Sequence, residues 1–175
     1  MRWLAFTILA LATLTVQATV GNLLGIPTRG GLMLGVDFLA IVAVLVALKV
    51  RAGSDALLAG WILGLLIDLS SPHMPIGLYA LTFSLSASLV YYVRGAVFTT
   101  NPISQLLTTF GFCLAAHAAA RLFIHVAAPP AGARFGTDLV EALLLAACTA
   151  VAAPFVMGVL HKFDWLIVSQ RSGRQ

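Results

Sequence analysis

Residues 139–160 read LVEALLLAACTAVAAPFVMGVL, with Glu141 the single charged residue. An apolar stretch of about 20 residues matches the hydrocarbon thickness of a bilayer when wound as a helix. Working outward, five further apolar runs precede it, over residues 3–24, 32–50, 56–69, 76–93 and 103–128. The breaks between them carry turn chemistry: Pro27, Gly30 and Gly31 after the first run, Ser70, Ser71, Pro72 and Pro75 after the third, Asn101 and Pro102 after the fourth, and Pro129 and Pro130 after the fifth. Each run should be helical, because backbone amides in hydrocarbon must be satisfied within their own segment. A transmembrane barrel would show alternating runs of about ten residues, and these runs are continuous.

Composition supports the same reading. Hydrophobic residues make up 61% of the 175 positions and charged residues 9%. Mean hydropathy is +1.02. A soluble domain carries roughly 25% charged residues, so this chain lacks the charge to cover a water-facing surface. The expected fold class is therefore all-α: one integral membrane bundle of six transmembrane helices, a single domain over residues 1–175, with a tail from 161 to 175. The first 20 residues imitate a secretory signal, but apolar character continues to Ile26, and we read a retained first span. The net charge of +4 reflects scattered Lys and Arg residues, which points to membrane orientation and away from nucleic acid. With six spans and a cytoplasmic N-terminus, the inner ends hold Arg2, Lys49, Arg51, Arg94, Lys162, Arg171 and Arg174. The outer ends hold Arg29 and Arg134. This bias puts both termini in the cytoplasm.

Apart from Lys49 at an inner end, four charged residues fall inside the runs: Asp37, Asp68, Arg121 and Glu141. At about 1.5 Å per residue they lie at comparable depth near the outer boundary, and they are expected to form one intramembrane polar cluster. Such residues are paired, buried in the bundle or functional. The cluster reads either as an ion-pair clasp fixing helix order or as a polar site for a ligand or partner helix. One arginine cannot neutralise three carboxylates, so one carboxylate lies near the headgroups, or a proton or partner completes the set. Gly60, Gly64 and Asp68 share one helix face and suggest close helix packing. Gly111, Ala115 and Ala119 form a similar stripe. His117, Arg121 and His125 share a face too, but a cation between two histidines disfavours protonation and metal binding. Cys113 and Cys148 read as buried thiols, and Pro154 should kink the last helix. No metal, cofactor or catalytic motif is expected. Ser70, Ser71, His73 and Asp68 are neighbours in sequence, which does not make a triad.

Three segments resemble the family of the rod shape-determining protein MreD. Asp37-Phe38-Leu39 opens a helix that ends in Ala47-Leu48-Lys49. The third run holds Gly60-Trp61-Ile62-Leu63-Gly64-Leu65-Leu66-Ile67-Asp68-Leu69, like the family's Gly-x-x-x-Gly-Leu-x-x-Asp-Leu. Pro75-Ile76-Gly77-Leu78-Tyr79-Ala80-Leu81 is similar to its Pro-Leu-Gly-Leu-His-Ala-Leu segment. The chain departs at Val36, where the family often has proline, and in a slightly longer loop before Gly77. The resemblance implies a non-enzymatic scaffold of the bacterial inner membrane that pairs with MreC. It also implies links to RodA, a penicillin-binding transpeptidase and the MreB filament, and a role for Gly60, Gly64, Asp68 and Gly77 in helix packing or partner binding. The family is similar in fold to the substrate-binding subunits of energy-coupling-factor transporters. The rival expectation is thus a vitamin- or metal-binding importer subunit, with Asp37, Asp68, His73, Arg121 and Glu141 around its pocket.

Overall fold

In the computed structural model, residues 3–24, 26–27, 33–70, 75–96, 101–127 and 135–162 are described. His73 and Ser71, and the basic residues Arg2, Arg29, Arg134, Arg171 and Arg174, lie outside them. Six helices follow one another: α1 (Trp3–Leu24), α2 (Phe38–Lys49), α3 (Gly53–Ser70), α4 (Leu78–Val93), α5 (Pro102–Ala127) and α6 (Phe135–His161). A two-residue antiparallel ladder, Ile26–Pro27 with Met33–Leu34, lies between α1 and α2. A 3-10 turn at Arg94–Ala96 extends α4.

Three helices, α3, α5 and α6, are long and apolar enough to cross a membrane. α2 and α4 are shorter apolar helices of 12 and 16 residues, and the stretch Trp3–Thr19 of α1 belongs with them. At about 1.5 Å per residue, α2 spans about 18 Å. Its apolar run begins at Leu32, but its helix begins only at Phe38. The reason is local: Asp37 takes an extended conformation and its carboxylate accepts the Ala40 N–H at 3.0 Å, which caps the helix.

The burial pattern runs opposite to that of a water-soluble helix. In α3 the buried side is Ala56, Ala59, Gly60, Leu63 and Gly64, while Leu57, Leu58, Trp61 and Leu69 face outward. In α6 the buried side is largely alanine, and Leu143, Leu144, Val151, Phe155 and Val159 are exposed. Small residues inside let backbones approach, and bulky apolar residues outside suit hydrocarbon. Cys148 belongs to this outer surface, so the expectation of two buried thiols holds only for Cys113. Threonines on α1 are accommodated by bonding back to carbonyls one turn earlier, as Thr13 does to Leu9 at 2.8 Å.

α2 forms the centre: every residue from Leu39 to Leu48 is buried. A helix that is apolar all round belongs inside a bundle. It touches α1, α3, α4, α5 and α6, while α3 packs most extensively on α4 and α5 on α6. α2 and α6 run parallel and in register. The Asp37 N–H donates to Thr149 Oγ1 at 3.0 Å at one end, and Lys49 Nζ lies 3.0 Å from His161 Nδ1 at the other. Pro154 lies inside α6, which continues through it to His161.

Most charges sort by end, with Arg121 and Asp55 as exceptions. Asp37, Asp68, Asp138 and Glu141 lie towards one end of the helices, with Arg121; Lys49, Arg51, Arg94 and Lys162 lie towards the other, with Asp55. At the basic end the α2–α3 connection is tied to α4. Tyr91 donates to the Arg51 carbonyl at 2.8 Å, Arg94 donates to the Val50 carbonyl, and the Arg94 guanidinium lies 4.2 Å from the Tyr91 ring centre.

Candidate functional site

Asp68 is 2% exposed near the C-terminal end of α3. Its carboxylate reaches across to the first turn of α4. Oδ2 accepts the N–H groups of Gly77 at 2.9 Å and Ala80 at 3.0 Å, and Oδ1 accepts that of Tyr79 at 3.0 Å. The first N–H groups of a helix have no partner within it, and the helix dipole favours a negative charge there. Asp68 meets both needs from a different helix. Gly77 supplies the entry: its φ of 99° is left-handed, a conformation glycine adopts without steric cost.

The two glycines on the Asp68 stripe explain how α3 comes so close. A Cβ on Gly60 would sit 2.7 Å from the Phe83 carbonyl oxygen and 2.8 Å from Ala87 Cβ. A Cβ on Gly64 would sit 2.7 Å from Ala80 Cα and closer still to the Tyr79 carbonyl. Gly60, Gly64, Asp68 and Gly77 therefore converge on one feature, the α3–α4 hairpin. Of the two roles open in the sequence, this geometry is helix packing, and α4 of the same chain occupies the face.

Asp37 sits elsewhere, among α2, α5 and α6. Beyond capping α2, its Oδ2 accepts from His117 Nε2 at 3.1 Å, with both side chains buried. The His117 ring stands edge-on to Tyr79 at 5.4 Å and to Phe83 at 6.0 Å. Thr149, fully buried on α6, accepts the Asp37 N–H. Gln17 of α1 adds to the cap by accepting the Leu39 N–H at 3.0 Å. Asp37 is thus paired with His117 from the α5 face, and Tyr79 lies within electrostatic reach of Asp37, Asp68 and Arg121. Arg121 is half-buried, within electrostatic reach of Tyr79, and its Nη2 is buried without a hydrogen-bond partner among the described residues. Glu141 is half-buried on α6.

The residues of α5 form a line that the sequence pattern only partly suggests. Gln105, Thr109, Cys113, His117, Arg121 and His125 recur every four residues. Four residues advance a helix by about 6 Å and overshoot a full turn by about 40°, so the line winds. Thr109, Cys113 and His117 are buried, and Gln105, Arg121 and His125 are half-buried. Thr109 Oγ1, at 0% exposure, has no hydrogen-bond partner among the described residues. His125 packs on Phe135 and does not join His117. Among the described residues no group of three or more His, Cys, Asp or Glu side chains is placed to hold a metal.

Sequence reasoning missed Thr149, Gln17 and Tyr79, whose contacts depend on which helices become neighbours. It also misplaced one stripe. Gly111, Ala115 and Ala119 are exposed, and a Cβ on Gly111 would meet nothing within 4 Å. Gly111 and Ala115 line an open groove of about 380 Å³ between α4 and α5. Comparison of the chain with family models, with curated proteins and with solved structures gives no match.

Proposed function

We propose that this chain is a six-span scaffold of the bacterial inner membrane, of the MreD kind, pairing with MreC in the cell-elongation machinery. The observation that carries the reading is the α3–α4 hairpin. The residues on which the resemblance rests, Gly60, Gly64, Asp68 and Gly77, are those that bring these helices together and cap the second of them. A motif spent on architecture suits a scaffold. In the importer reading, the same carboxylates would face a ligand. Asp68 is committed to three backbone donors and Asp37 to its cap and to His117, which leaves that pocket without two of its polar groups. No catalytic arrangement is proposed.

Six crossings, with α2 and α4 as short interior segments, are supported by the sorting of charges. Lys49, Arg51, Arg94 and Lys162 gather at one end, which is the cytoplasmic one under the positive-inside rule. Both termini then lie in the cytoplasm, where contact with MreB is sterically open, while RodA and the transpeptidase would be reached through the membrane and MreC.

The test is co-expression with tagged MreC in the same membrane and recovery in mild detergent. The reading expects stoichiometric co-purification, retained in Gly111→Ala, which fills open space, and lost when the hairpin is broken by Gly64→Leu. Recovery of the chain without MreC but with a tightly held vitamin would overturn it in favour of the importer subunit.

A further inference from the structure

At the basic end a second cavity, of about 360 Å³, opens between α2, α5 and α6. Its body is apolar: Leu45 and Leu48 from α2 and Met157 from α6 form its floor, and Pro154 and Gly158 form part of its wall. Its polar groups are Lys49, Gln105 and His161. Lys49 is the last residue of the central helix and is half-buried, and its ammonium lies 3.0 Å from His161 Nδ1. A charged amine at the mouth of an apolar cleft is an amphipathic site. Leucine and methionine floors have little affinity for a free anion, and an uncharged chain has no use for the ammonium.

We propose that this cleft binds one anionic phospholipid of the leaflet at the basic end. Its phosphate pairs with Lys49 beside His161, and an acyl chain lies over Leu45, Leu48 and Met157. Charge complementarity selects the occupant. Arg51, Arg94 and Lys162 lie towards the same end and outnumber its one described carboxylate, Asp55, so the surroundings of the cleft raise the local concentration of anionic headgroups. The N-terminus of the 26-residue helix α5, at Pro102, borders the cleft and adds the positive end of its dipole. Gly158 keeps the wall open: a Cβ there would meet nothing within 4 Å. The inference rests on the membrane location in the proposed function, but not on the identity of any partner.

The test uses the full chain in mild detergent with an equal mixture of phosphatidylglycerol and phosphatidylcholine of matched acyl chains, read by native mass spectrometry. One basic residue near a bilayer surface contributes about 1 kcal/mol to anionic lipid binding, which is about a fivefold preference. We expect a single retained lipid, phosphatidylglycerol favoured about fivefold. The preference should vanish in Lys49→Gln, survive in Lys49→Arg and in Lys162→Gln, and give way to loss of both lipids in Gly158→Phe, which fills the cleft. A preference unchanged in Lys49→Gln would overturn the site. Displacement of the lipid by glycerol 3-phosphate would also overturn it, since the site would then be one for a free anion. Failure of the membrane reading itself looks different: the chain would stay monodisperse without detergent.

Discussion

Removing the Asp68 carboxylate should be the most damaging single change in the α3–α4 hairpin, and its size follows from three hydrogen bonds. Asp68→Ala leaves the N–H groups of Gly77, Tyr79 and Ala80 without their acceptor. A buried donor left unpaired costs about 1–3 kcal/mol. Three such donors set an upper limit near 9 kcal/mol, but the first turn of α4 can fray towards the headgroups and recover water. The expected loss is therefore about 3–5 kcal/mol. Asp68→Asn keeps one carbonyl oxygen for two of the donors, turns an amide N–H₂ towards the third and removes the charge from the helix dipole. It should cost about 2–3 kcal/mol. The assay is reversible unfolding of the purified protein in mixed micelles, titrated with sodium dodecyl sulfate and followed by far-ultraviolet circular dichroism. The reasoning is refuted if Asp68→Ala lies within about 0.5 kcal/mol of the parent, the range of ordinary surface changes, or if Asn is as damaging as Ala.

Three further outcomes follow from the same contacts. Gly64→Ala should destabilise by about 2–4 kcal/mol, since the new methyl meets α4 backbone, whereas Gly111→Ala should lie within about 1 kcal/mol of the parent; unfolding midpoints compare the two directly. A double-mutant cycle on Asp37→Asn and His117→Phe should give a coupling of about 1–3 kcal/mol, and additivity within about 0.3 kcal/mol would remove the pair. Thr149→Val, which deletes the acceptor of the Asp37 N–H at nearly constant volume, should cost about 1–2 kcal/mol on unfolding, and no change would mean that α2 does not depend on α6 for its cap.

How much of this was legible in the sequence differs by residue. The helices were legible because a bilayer filters for length and apolarity, and breaks at Pro75, Asn101 and Pro102 are local chemistry. The start of α2 was obscured because residues 32–36 are as apolar as the helix that follows; the marker was Asp37, an N-cap residue directly before Phe38. Depth along the membrane normal follows from sequence position for Asp37, Asp68, Arg121 and Glu141, but lateral position does not, so the pairing of Asp37 with His117 and of Asp68 with the first turn of α4 depends on how the helices pack. Asp68 binds backbone donors, which every residue carries and no sequence pattern marks. Gly60 and Gly64 face α4 while Gly111, Ala115 and Ala119 face outward, although both stripes follow the same spacing. Spacing defines a face; the packing of the other helices decides where it points.

The central claim is a bundle that crosses the bilayer with its basic end in the cytoplasm, and single-cysteine labelling tests it most directly. With Cys113 and Cys148 replaced by alanine, Gly136→Cys and Ala52→Cys put one thiol near each end, at exposed positions. The account predicts that a membrane-impermeant maleimide added to intact spheroplasts labels Gly136→Cys, and labels Ala52→Cys only after permeabilisation. Labelling in the opposite order, or recovery of both variants in the soluble fraction, would contradict it.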